Sequence, residues 1–463
     1  MNCNDKTLLQ KEINDLLIIN SQFIKQEHYN VLLSALKHSR SKEVVEDSKE
    51  AINYSKWFAQ NIINIQEHLL NKVPNEPDDK MKKYKEFSDR QLIRNFKSIY
   101  DGLVYRKLKF DHPFLRYGAE HHFPLNSINS ETMVKTMNFL DQFIKSNDGF
   151  ILVNDLSNFL RVGDFLQIND TGTLINEIKG NFTKVLNVNS FSGSKEPSKQ
   201  FINKIIPAQE VLDKRIIKAN DVDRTEIKIK DVSFTVETYF HELSKLLDKV
   251  DKEDYAEIKV DDYLIVRGFN MSEIHKKIIK DKKNMKGYFN DKLAQPTWST
   301  SNILRLSSYL YFTYDGIGNF SRNLLPLSTY PIKEEHIIDL MLGRKVLFGW
   351  MNLDVIKNKL ESNGWEVEQS DINEIYKHNE TIKAEKKMKL FKPFEKMMKD
   401  ELFTIRRGTY FNTLNISLIL KIFTECKRLE TILNECECIN GIAEEVVNQH
   451  YIVRNLEEAN VYI

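Results

Sequence analysis

Apolar residues recur at three- and four-residue spacings through most of the first hundred positions, and that period predicts helices. Residues 8–24 (LLQKEINDLLIINSQFI) and 41–70 (SKEVVEDSKEAINYSKWFAQNIINIQEHLL) are the clearest runs. Between them and the next run lies NKVPNEPDDK, residues 71–80, whose two prolines and charge run break a helix. EFSDRQLIRNFKSIYDGLVYRKL, residues 86–108, resumes the period, with Ser88 as its expected N-cap. From about residue 106 the texture changes. Residues 127–148 still read as a helix, capped by Ser130. GFILVND (149–155), FLRVGDFLQI (159–168) and TLINEIK (173–179) read as strands, with Asn169–Gly172 as the turn between the last two. Residues 200–220 predict a helix broken or kinked at Pro207, and 225–237 alternate as a strand.

Beyond residue 237 the pattern is mixed. YAEIKVDDYLIVRGF (255–269) predicts a strand pair, and 271–289 a basic helix. Residues 334–368 read helix, strand, helix, strand, and 415–435 one long amphipathic helix. The expectation is a mixed α/β protein in three parts: a helical region over 1–105, an α/β core over 106–236, and a mixed α/β domain over 237–463.

Composition narrows the function classes. The chain has 463 residues, more than one typical domain, and 41% of them are hydrophobic. Sixty-seven basic residues face 66 acidic ones, so no global field attracts nucleic acid or membrane, and any such contact needs a local patch. Four cysteines in this length argue against a disulfide framework and for a reducing compartment. The N-terminus lacks the basic start and apolar core of a signal peptide, and no stretch reaches the roughly 20 apolar residues of a membrane span. The expectation is a soluble cytoplasmic protein with no membrane partner. Its richness in Asn, Ile and Lys suggests an AT-rich bacterial or viral genome.

The hairpin at 159–180 carries the most specific chemistry. Gly163-Asp164 opens it and Glu177-Ile178-Lys179 closes it. Positions 177 and 179 of a strand face the same side, and a turn at 169–172 brings Asp164 back beside them. Two carboxylates and an ammonium would then converge at one edge of the sheet. Carboxylate oxygens suit Mg²⁺ or Mn²⁺, and a lysine reaches phosphate as a point charge. Gly-Asp, a hairpin and Glu-x-Lys, with a helix before and after, resemble the PD-(D/E)xK nuclease superfamily over roughly residues 115–235. The resemblance implies a restriction-endonuclease-like α/β core and a metal-dependent nuclease. It makes Asp164 and Glu177 the metal ligands and, with Lys179, the catalytic set. It also offers Glu131 or Glu120 as a further acid and Gln200 or Gln209 on the following helix. Gly163 stands where the family often has proline. A role in bacterial antiviral defence, or one related to phage, is implied by analogy alone, as is a homo-oligomer or an accessory protein.

Glu-x-Lys recurs at 226–228 and 257–259 without such a hairpin before it, and in a lysine-rich chain the plain alternative is a solvated strand face. Two stretches concentrate positive charge. Residues 275–289 hold six lysines, and residues 383–407 hold nine basic against four acidic residues. Lys282, Lys283, Lys386 and Lys387 are the candidate contacts to DNA or RNA phosphates, the alternative again being a solvated helix face. If the metal site does no chemistry, these stretches still fit a non-catalytic nucleic-acid-binding or assembly protein. Arg267, Trp298–Ser301 and Glu435–Glu437 share residue types with ADP-ribosyltransferases, but their spacing is far wider and the glutamates fall in a helical stretch. Cys426, Cys436 and Cys438 with His450 have no zinc-site spacing and read as buried helix cysteines.

Overall fold

The computed structural model of the protein describes residues 23–71, 79–110, 150–158, 165–169, 172–178, 226–281, 302–308, 325–372, 401–407, 410–445 and 450–455, together with short stretches between them. Helices α1 (Gln26–Ser39), α2 (Lys42–Glu46), α3 (Ser48–Asn71) and α4 (Asp79–Lys107) come first. Strands β1 (Phe150–Val153), β2 (Phe165–Asn169), β3 (Gly172–Ile178), β4 (Val185–Leu186), β5 (Ile216–Lys218) and β6 (Glu226–Val232) follow. Then come α5 (Phe240–Glu253), β7 (Tyr255–Val260), β8 (Leu264–Asn270), α6 (Met271–Asp281), β9 (Ile303–Ser307), α7 (Glu334–Met341) and β10 (Lys345–Asn352). The remainder is α8 (Leu353–Ser362), β11 (Glu366–Gln369), β12 (Glu401–Arg407), β13 (Tyr410–Asn415), α9 (Ile416–Thr424), α10 (Leu429–Glu445), β14 (His450–Asn455) and α11 (Ala459–Tyr462). The protein is thus a mixture of helices with small, mainly antiparallel sheets.

Two compact units share this chain. The first holds residues 2–234, 309–345 and 448–463, and the second holds 235–308 and 346–447. The helical region and the strands after it form one unit, and two later segments return to that unit.

In the first unit, side chains start the helices as N-caps do. The Ser41 hydroxyl accepts from the Val44 amide, and the Asp47 carboxylate accepts from the amides of Lys49 and Glu50. Helix α4 begins at Asp79, so Ser88 is a buried interior residue and not a cap. A Lys85–Asp89 ion pair of 2.7 Å, one turn apart, supports the helix through that point. Leu32, Leu36, Phe58, Phe96, Tyr100 and Leu103 are fully buried between the helices. Gly102 lets the 327–329 turn lie against α4: a Cβ there would overlap the Ser328 hydroxyl and sit 3.0 Å from Ser328 Cβ. The Ser328 carbonyl accepts from Arg106 at 2.8 Å and from Arg40 at 3.1 Å. Arg40 also donates to the carbonyls of Tyr330 and Ile332 and to Glu334. These bonds explain why the segment around 328–334 belongs with helices nearly three hundred residues earlier.

Two sheets complete this unit. One is an antiparallel meander in the order β1-β2-β3-β4. All of β1 is buried, as are Phe165, Leu166 and Gln167 of β2, so both faces are covered, as a continuous apolar run predicts. The other has the order β14-β6-β5, with β14 parallel and β5 antiparallel to β6. Residues 216–218, expected to be helical, are therefore a strand, because Ile216 and Ile217 pair with Lys228 and Ile227. The strand expected over 225–237 is present as β6, in this separate sheet.

The second unit is built on the sheet β7-β8-β10-β9. Helix α5 lies close on one face at Gly268, where a Cβ would come within 2.7 Å of Val250 Cγ2. A smaller sheet runs β11-β12-β13, so residues 401–407, expected in a basic helix, form a strand. The single helix expected over 415–435 is two. Cys426 breaks it with φ +52°, and the break is held by the 237–239 segment. Tyr239 N donates to Cys426 O (2.9 Å) and Arg428 N to Glu237 O (2.8 Å). Glu425 and Lys427 flank Cys426 as an almost fully buried ion pair of 3.0 Å.

Candidate functional site

The β2–β3 hairpin is the site the sequence favours, and α4 positions the strand beside it. Tyr100 Oη accepts from the Val153 amide at 3.0 Å, at the end of β1. It also lies 2.9 Å from Ser55 Oγ, and since that hydroxyl donates to Ala51 O, Tyr100 is the donor to Ser55. Burial pushes the Tyr100 phenol up to about 12, so it keeps the proton it donates. At the other end of β1, the Lys107 ammonium lies 3.5 Å from the Phe150 ring centroid. Burial lowers its pKa to about 8, against the opposing pull of Glu46 and Asp47.

One helical position on from Tyr100, Asp101 is fully buried and holds the turn that leaves β1. Its carboxylate accepts from Ser157 Oγ, from the Asn158 amide (2.8 Å) and from Asn158 Nδ2 (2.8 Å). Ser157 Oγ in turn accepts from Leu160 N at 3.0 Å, and Asn158 Nδ2 also donates to Arg94 O at 3.1 Å. Asp101, Ser157 and Asn158 were not singled out from the sequence. The signal was there: an aspartate on the apolar stripe of α4, where a charge needs a partner.

Glu177 lies in β3 as expected, and its register is defined. Phe165 pairs with Asn176 across the hairpin, and Glu177 pairs with Leu186 of β4 on the other side. β3 is therefore an interior strand of the sheet rather than an edge. Asp164, Lys179, Glu120 and Glu131 lie outside the described residues, as do Gln200 and Gln209. So do Lys282, Lys283, Lys386 and Lys387.

The described ends of the two basic stretches are engaged with acids. In α6, Lys276 pairs with Glu273 at 2.7 Å and Lys277 with Asp254 at 2.9 Å. In β12, Arg407 pairs with Glu437 and lies over the Trp365 ring, 5.6 Å from its centroid. Glu435 and Glu437 sit in α10, where Glu435 pairs with Lys421 at 3.3 Å. That helix removes the resemblance to an ADP-ribosyltransferase glutamate loop. Arg267 is committed to Glu257, its cross-strand partner, and to the Trp350 ring, 4.6 Å away. Cys426 is buried, and burial raises its thiol pKa, so it stays protonated. Among the described residues no helix is long and apolar enough to cross a membrane. Comparison with protein-family models, curated proteins and solved structures found no match to this chain.

Proposed function

We propose that the protein hydrolyses nucleic-acid phosphodiesters with a divalent cation held at the open end of the β2–β3 hairpin. The register of that hairpin carries the reading. The last described pair in this direction is Phe165–Asn176, and in the sequence Asp164 precedes the one residue and Glu177 follows the other. Lys179 follows Glu177 by two residues, the step at which a strand repeats a face. The buried strand β1 and the buried start of β2 supply the rigid base such a site needs.

Two carboxylates are a donor set that Mg²⁺ or Mn²⁺ accepts, and Glu120 or Glu131 is available as a third. A bound cation of this kind lowers the pKa of a coordinated water and neutralises charge on a phosphate. Asp164 and Glu177 would hold the cation. The Lys179 ammonium would donate to the scissile phosphate or orient the attacking water. Lys282, Lys283, Lys386 and Lys387 would provide phosphate contacts.

The test is cleavage of labelled single- and double-stranded DNA and RNA with Mg²⁺ or Mn²⁺. Glu177→Gln is expected to abolish cleavage, and Lys179→Ala to slow it by about a hundredfold or more. Both variants should keep the far-ultraviolet circular dichroism of the parent. Cleavage that persists in Glu177→Gln would place the chemistry elsewhere. Binding without any cleavage would favour the non-catalytic reading.

A further inference from the structure

Arg106, in the last turn of α4, is a cation with too few acceptors. It is 9% exposed. Its one hydrogen bond among the described residues runs from Nη2 to the Ser328 carbonyl, 2.8 Å away. Nη1 is closed off from solvent and has no acceptor among those residues. Burial, with Arg40 beside it, lowers the guanidinium pKa to about 9, which still leaves it charged at neutral pH. A charge buried without an opposing one is costly, and buried charges are ordinarily paired.

The surroundings add donors rather than acceptors. The same Ser328 oxygen accepts from Arg40 Nε at 3.3 Å and from Arg40 Nη2 at 3.1 Å. Three N–H groups thus converge on an oxygen with two lone pairs, and two like charges are held within a few ångström of each other. The acid of the cluster, Glu334, lies 3.1 Å from Arg40 Nη1 and is paired with Arg40. The Tyr54 phenol, close enough to feel the field of Arg106, is kept protonated by burial and donates to the Ala35 carbonyl at 3.1 Å. Two guanidinium groups against one carboxylate leave one positive charge unbalanced. We propose that Arg106 binds a small monovalent anion, of the size of chloride, enclosed against Nη1. One negative charge balances the cluster, and the N–H groups of Nη1 are charge-assisted donors to it. With Nη1 shut away from bulk solvent, the ion is enclosed and therefore small. A phosphate ester is too large and carries too much charge.

Denaturant-dependent hydrogen exchange on the full chain tests this, because it reads the opening of each unit separately. Potassium chloride is exchanged for potassium gluconate at fixed ionic strength. An ion that binds the closed unit alone lowers its opening constant, and above the dissociation constant each tenfold rise in chloride should lower it about tenfold. Peptides of α4 and of residues 328–334 should show this. Peptides of β8, in the second unit, should not, which separates binding from a general salt effect. In Arg106→Gln the response should vanish. No response in the first unit, an equal response in both units, or an undiminished response in Arg106→Gln overturns the proposal. If Arg106→Gln does not fold, crystals of the parent protein grown in bromide decide the matter. Anomalous scattering should then place one bromide within hydrogen-bonding reach of Arg106 Nη1, and a map with none there overturns the proposal.

Discussion

Replacing Asp101 with alanine should be among the costliest single changes in the first unit. The carboxylate accepts three hydrogen bonds, from Ser157 Oγ, Asn158 N and Asn158 Nδ2, at a position with no solvent exposure. A hydrogen bond to a charged group contributes about 1.5–3 kcal/mol. Three of them in one network are not additive, because Asn158 supplies two and relaxes as one residue. Against that, Ser157 is itself fully buried, and its hydroxyl would lose its acceptor. The expected loss is about 3–5 kcal/mol, the range found when one partner of a buried charged network is removed. Asp101→Asn keeps the shape and one acceptor oxygen but turns an NH₂ toward the other donor, so it should lose about half as much. Denaturant-dependent hydrogen exchange, read by mass spectrometry on α4 peptides and on peptides spanning 150–160, reports the opening free energy of this unit separately from the other. A loss below about 1 kcal/mol in Asp101→Ala would refute the view that this carboxylate fixes the turn leaving β1.

Three further outcomes follow from the packing. Gly102→Ala should destabilise the first unit by about 1–3 kcal/mol through overlap with Ser328, and Ser328→Gly in the same chain should recover part of that, by the same exchange measurement. Lys107 has a folded pKa of about 8, below the ordinary lysine value, so the unfolded chain binds its proton more tightly and stability should rise between about pH 8 and 10.5. Lys107→Met should flatten that rise in urea midpoints, its advantage over the parent shrinking as pH increases. Lys427→Met should cost the second unit about 3–5 kcal/mol by stranding the Glu425 carboxylate, whereas replacing both with methionine should return stability to within about 1 kcal/mol of the parent in denaturant melts.

Elements whose reasons are local were legible in the sequence. β1, the β2–β3 hairpin, the β7–β8 pair and the run α7-β10-α8-β11 all appear where hydrophobic period and turn residues place them. Elements whose partners are distant were not. Residues 216–218 are helix-compatible alone and become a strand because β6 is beside them. The stretch through Cys426 has a helical period, but the 237–239 backbone captures the Cys426 carbonyl and the Arg428 amide and opens the helix. Ser88 looked like a cap because a serine before an apolar run usually is one, yet α4 had already started at Asp79. At the hairpin, residue types and the placement of Glu177 on β3 were readable, but not that β4 flanks it on the far side.

The parallel pairing of β14 with β6 has a consequence for synthesis. Val232 ends β6, and its partner Asn455 emerges more than two hundred residues later. At 5–20 residues per second the ribosome needs roughly 10–45 s to supply it. Through that interval, among the described residues, β6 has the three residues of β5 along one flank, and the flank that β14 will take offers its amides and carbonyls to other strands. The second unit is completed at residue 447, before β14 is made. Order of appearance therefore favours a nascent chain in which the later unit is finished first and the earlier one waits, its open strand a natural client for a chaperone.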